Sequence, residues 1–147
     1  MRFVAGVTVV LALVGCTNSA APRSVWDTLD RNESHWRAQR IADYDYDLTM
    51  GSAWFPNKTF RIEVRGGLAS KITDLTSTTQ PAQPPSPYTL DSLFARARHD
   101  LIGGAGYQYK LTLKFNAQYG FLTTLNGDIP QAVDDEYWIS TTNFVRR

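Results

Sequence analysis

The chain has 147 residues, 43% of them hydrophobic and 20% charged, with fifteen basic against fourteen acidic side chains. That length and apolar content support one domain with a core of its own and exclude a disordered chain. With charge so nearly balanced, nothing in the composition suggests the basic face on which nucleic-acid binding depends, so no nucleic-acid partner is expected.

The N-terminus opens on an apolar run from Phe3 to Val14, broken only by Gly6 and Thr8. A hydrocarbon core of ~30 Å needs about 20 helical residues to cross, so a run of this length reads as the apolar region of a signal peptide. It ends in Leu13-Val14-Gly15-Cys16, and the small, polar Thr17-Asn18-Ser19-Ala20-Ala21-Pro22 follows. That order resembles the lipobox of bacterial lipoproteins, in which the cysteine thiol is alkylated by a diacylglycerol, the chain is cut just before it, and the new amino terminus is acylated. The resemblance implies a signal peptide over residues 1–15, a tether over 16–23 and one globular domain over 24–147, held in a bacterial cell envelope through lipidated Cys16. Its partner there is a membrane. Because Thr17 rather than Asp follows the cysteine, the expected place in a double-membrane cell is the periplasmic face of the outer membrane. Loss of residues 1–15 removes Arg2 and leaves equal numbers of basic and acidic side chains. Cys16 is the sole cysteine, so the fold has no disulfide and, once acylated, no free thiol.

Ser24 followed by Asp27 has the spacing of a capping-box variant, and a helix over 25–40 is expected to carry Trp26, Leu29 and Trp36 close to one face. Asp43-Tyr44-Asp45-Tyr46-Asp47-Leu48 alternates strictly, which puts both tyrosines and Leu48 on one face of a strand and the three aspartates on a wet one. A loop through Gly51-Ser52 to Pro56-Asn57-Lys58 is expected next, then a strand over 60–65. Gly66-Gly67 suits a tight hairpin turn, because both central positions take φ > 0 without penalty. A third strand runs from Leu68 to about Leu75.

Residues 76–88 read as a stiff connector between two halves, rich in proline, with Pro81 and Pro84 at the PxxP spacing of a ligand for an aromatic groove. Thr89 caps a second helix whose apolar face is Leu90, Leu93, Phe94, Ala97 and Leu101, with Tyr88 and Leu93 placed as a hydrophobic staple. Gly103-Gly104-Ala105-Gly106 ends it. A phosphate cradle runs from a strand into a helix, and here the order is reversed, so the cluster reads as a stop. Strands follow over 107–115, 121–125 and 136–145.

Both halves show Tyr-x-Tyr-x-Leu-Thr, at Tyr44, Tyr46, Leu48, Thr49 and again at Tyr107, Tyr109, Leu111, Thr112. The fold expected is α+β: an antiparallel sheet of about six strands with two helices packed on one face, divisible into two helix-plus-three-strand halves. Trp36 through Tyr44-Asp45-Tyr46, Phe60 to Gly67, Thr89-Leu90-Asp91-Ser92-Leu93-Phe94 and Leu113 to Leu122 leading to Asp134-Asp135 carry a wider likeness. Over most of residues 30–145 the chain resembles a family of small bacterial secreted proteins and lipoproteins known only as a domain of unknown function. The resemblance implies a lipoprotein-type location and brings no catalytic residues with it.

Chemistry-bearing residues are few. No Gly-x-Ser-x-Gly elbow occurs, and the two histidines, His35 and His99, lack the spacing of a zinc site. Asp43, Asp45 and Asp47 on one strand face, and Asp128, Asp134 and Asp135 beside Glu136 around a loop, are the candidates for calcium through hard oxygen ligands, against the plainer reading of solvated surface. Leu48 stands where an EF-hand loop needs glycine. No catalytic residue and no cofactor is therefore assigned. The expected function is non-catalytic: an envelope lipoprotein contacting another protein through exposed aromatics such as Trp54, Phe55 or Trp138. The alternatives are a periplasmic small-ligand carrier, with a pocket between helices and sheet, and a hydrolase built from dispersed acids.

Overall fold

The structure, a computed structural model, describes residues 23–77, 88–102, 109–130 and 132–147. Cys16 and residues 17–22 of its tether, residues 78–87 of the connector, the Gly103–106 cluster and Tyr107 lie outside the described residues, and Arg23, expected to end the tether, opens the first helix. The elements run α1 (Arg23–Ala38), β1 (Tyr44–Ser52), β2 (Phe55–Arg65), β3 (Leu68–Asp74), α2 (Leu90–Leu101), β4 (Lys110–Phe115), β5 (Leu122–Asp128) and β6 (Tyr137–Arg146).

Six strands form one antiparallel sheet in the order β3-β2-β1-β6-β5-β4. Each half of the chain therefore makes a three-strand meander, and the two join where β1 lies along β6, from Tyr44 opposite Arg146 to Ser52 opposite Tyr137. The halves are not equivalent. β1 is central while β4 forms an edge, so Tyr44 and Tyr46 are buried whereas Tyr109 and Leu111 are only half-buried. The repeated tyrosines reflect what strands facing a core require rather than matching places in the sheet.

Both helices cover the face that carries Tyr44, Tyr46 and Leu48. The Trp36 ring of α1 meets Tyr44 edge-on at 5.5 Å, the Tyr44 hydroxyl accepts from Leu90 N–H at 3.0 Å, and the Tyr46 hydroxyl donates to the Tyr88 carbonyl at 3.2 Å. Trp36, Tyr44, Tyr119, Phe121 and Phe144 form one aromatic cluster at the end of the sheet where β1 begins. Contacts of this kind contribute about 0.5–1.5 kcal/mol each beyond burial. The helices run antiparallel: Arg98 of α2 pairs with Glu33 and, at 2.6 Å, with Asp30, while Trp36 Nε1 donates to Asp91 at 3.2 Å.

Local signals worked where short-range geometry decides. Thr89 and Ser92 form a full capping box, each side chain accepting from the other's backbone N–H. Gly66 and Gly67 take φ of +58° and +76° in the β2–β3 turn. Two expectations are corrected. α1 starts at Arg23, so Ser24 lies inside the helix rather than capping it. The expected loop at residues 56–58 is strand: β2 begins at Phe55, opposite Ser52, and leaves only Ala53-Trp54 as the hairpin tip. Pro56 fits because β3 reaches no further along β2 than Phe60, so this part of β2 needs no amide donor on that side.

Candidate functional site

An open groove of about 550 Å³ lies at the end of the sheet where β1 turns into β2. Its walls are Met50, Phe55, Pro56, Tyr137, Trp138 and Ile139, with Arg96 of α2 and Lys58 at the rim. Phe55 is 72% exposed and its neighbour Trp54 70%, while the core beneath is filled by Tyr46, Leu48, Phe94 and Ile139. Two glycines let the aromatic wall lie flat. Trp138 rests over Gly51 across the β1–β6 pairing, where a Cβ would fall 2.7 Å from the indole, and Tyr137 rests over Gly127 of β5, where a Cβ would fall 2.6 Å from Cζ. Trp138 is further fixed by donating Nε1–H to Asn57 at 2.7 Å.

A buried carboxylate anchors the inner wall. Asp100 points inward from α2, accepts from Arg96 Nε at 2.7 Å, lies 3.2 Å from His99 Nδ1 and accepts from the Tyr137 hydroxyl. The Arg96 guanidinium lies 5.1 Å over the Tyr137 ring. Burial first, and the neighbouring carboxylate second, push the Tyr137 phenol well above its usual range, so its hydroxyl remains a hydrogen-bond donor. This arrangement positions an aromatic wall. Sequence reasoning missed it, although a signal was present: Asp100 lies three residues beyond Ala97 on the apolar stripe of α2, where an acid must find a partner.

The aspartates of β1 are placed otherwise than expected. Asp45 and Asp47 are only 4% and 5% exposed, because arginines cover the sheet face opposite the helices. Asp47 accepts two bonds from Arg61, its cross-strand neighbour, and one from Asn143 at 2.7 Å; Asp45 accepts from Arg65 and Arg147, each at 2.7 Å. Burial opposes ionisation of Asp45, but its two arginines outweigh it and hold the carboxyl below the ordinary range. The Arg61 hydrogen bonds lower Asp47 against its own burial. These are neutralised carboxylates rather than a solvated face. Asp43 points elsewhere, accepting from Gly66 N–H at 2.7 Å. Among the loop acids, Asp135 accepts from Ile129 N–H at 2.8 Å, Asp134 is exposed at φ +61°, and Asp128 is half-buried at the end of β5. Among the described residues no group of three His, Cys, Asp or Glu side chains converges. His35 is exposed on α1. Of the three aromatics expected to be exposed, Trp54 and Phe55 are, and Trp138 is half-buried in the groove wall.

The fold and groove define a class: a two-helix, six-stranded α+β domain with a filled core and one face of the sheet closed by arginine–aspartate pairs. Residues 28–146 match the model of a family of unknown function, DUF6174, and the chain belongs to that family. No curated protein matches it.

Proposed function

We propose that the protein is a cell-envelope lipoprotein, anchored through lipidated Cys16, whose domain works without catalysis by gripping another protein in the groove beside the β1–β2 hairpin. The observation that carries this reading is the exposed Phe55 at the mouth of an open, apolar hollow above a filled core. Binding energy at protein interfaces concentrates in such places, where an apolar or aromatic anchor of one partner fills a pocket of the other. The acids that would serve a hydrolase have structural partners: Asp45 and Asp47 hold arginines, Glu33 holds Arg37 and Arg98, and Asp100 holds Arg96 and Tyr137. The carrier reading has the groove's volume in its favour, which lies in the range of ligand sites, but such sites enclose most of the ligand surface and this one is open along its length.

Crosslinking in intact envelopes, followed by pull-down, tests the groove. Phe55→Ser removes the anchor from an exposed position, so the chain should unfold at the same urea concentration as wild type yet lose its crosslinked partner. Identical partners at identical yield would sink the reading. Cys16→Ala tests the anchor: palmitate label should disappear and an uncleaved precursor accumulate.

A further inference from the structure

We infer that the end of the sheet at which α1 begins rests on the lipid bilayer, with Trp54, Ile102 and Val133 at the level of the headgroups. The inference builds on the reading of Cys16 as the lipid anchor and adds an orientation for the domain. Cys16 precedes Arg23 by seven residues, a span of at most about 25 Å when fully extended, so a lipidated Cys16 keeps the start of α1 close to the membrane.

The strand register shows what shares that end. The β1–β2 hairpin tip meets the β5–β6 loop directly, where Ala53 N–H donates to the Glu136 carbonyl at 3.0 Å. The last turn of α2 joins them through the bond from Tyr137 to Asp100, two residues before Ile102. The first half of α1 lies beside that turn through the Asp30–Arg98 pair at 2.6 Å. Each of these corners presents an apolar residue to solvent: Trp54 at 70%, Ile102 at 68% and Val133 at 83% exposure.

The opposite end is different in kind. Where β1 begins and β6 ends, the chain carries Arg40, Asp43, Arg65, Arg146 and Arg147, with Leu68 and Val145 as its exposed apolar residues. Tryptophan prefers the headgroup region because its ring is apolar and its N–H polar, and small apolar residues beside it add buried area. Near the bilayer end, Asp128, Asp134, Asp135 and Glu136 outnumber Lys58 and Lys110, so the contact is apolar rather than a match to anionic lipid. The groove then opens beside the headgroups, which confines its protein partner to one at the membrane surface.

The test uses the mature acylated protein, reconstituted into phosphatidylcholine vesicles with plain acyl chains or with acyl chains brominated on the carbons nearest the headgroup. Subtracting the emission of Trp54→Phe from that of wild type isolates Trp54. The expected result is that this emission loses most of its intensity in brominated vesicles and that molar NaCl leaves the loss unchanged. Equal Trp54 emission in both vesicles, with palmitate label present on Cys16, overturns the orientation and leaves the anchor standing. Absence of label on Cys16 removes the anchor and the orientation together.

Discussion

Gly127→Ala is the most discriminating single change, because the structure fixes both what it does and how the effect should reverse. A Cβ at Gly127 would lie 2.6 Å from Cζ and 2.8 Å from the hydroxyl oxygen of Tyr137, too close for either ring position to remain. Three neighbours hold that ring: Asp100 accepts its hydroxyl, Arg96 covers its face at 5.1 Å, and Tyr109 meets it edge-on at 5.5 Å. Moving it breaks a hydrogen bond to a buried carboxylate, worth about 1.5–3 kcal/mol. Replacing a strand glycine by alanine gains about 0.5–1 kcal/mol from the unfolded chain. The net loss expected is about 1–2 kcal/mol, read as a lower urea midpoint at unchanged slope. In a Tyr137→Ala background the obstruction is gone, so the same Gly127→Ala change should become neutral or stabilising. An equal loss in both backgrounds would refute the reasoning, since the destabilisation would then owe nothing to the ring.

Three further outcomes follow from particular contacts. Asp45 and Asp47 have carboxyls lowered in the fold, so the stability they contribute is present above the unfolded value of about 3.9 and lost as pH falls through the folded values; urea midpoints should hold steady above about pH 5 and drop below about 4, less steeply in the Asp45→Asn/Asp47→Asn variant. Gly120 sits at φ +85° with a Cβ position 2.7 Å from the Asn32 carbonyl, so Gly120→Ala should lose about 1–3 kcal/mol, and a change within about 0.5 kcal/mol would contradict the close approach of this turn to α1. Thr89→Ala removes half of the capping box and should lower stability by about 1 kcal/mol, whereas Thr89→Ser should retain most of it.

Period-2 alternation at Tyr44-Asp45-Tyr46-Asp47-Leu48 was enough to assign faces, and Thr89 with the flanking Tyr88 and Leu93 was enough to start α2, because each depends on spacing within a few residues. Strand order was not legible that way. The pairing of Asp45 with Val145 joins residues a hundred positions apart, and no local pattern distinguishes β6 beside β1 from β4 beside β1. The groove was hidden for the same reason: Trp54, Phe55 and Trp138 were recognised as candidate contact residues, but Arg96 and Tyr137 become neighbours only once α2 crosses the start of β6. Pro56 misled because its lost amide matters only if a strand lies on that side of β2.

The buried aspartates show where charge serves specificity rather than catalysis. Replacing a buried ion pair by apolar residues often leaves stability unchanged, so Asp45 and Asp47 are not explained by energy alone. Register gives a reason. With Asp47 opposite Arg61, the tyrosines of β1 face the helices; a slip by one residue sets Asp47 opposite Phe60 or Ile62 and turns Tyr44 and Tyr46 toward the arginines. Each such error would strand carboxylates on the apolar face and lose the bonds from Arg61, Arg65 and Arg147. On this reasoning a variant with apolar residues at 45, 47, 61 and 65 should unfold at nearly the wild-type urea concentration but show additional sets of backbone amide signals. A single sharp set would mean that the tyrosine face alone fixes the register.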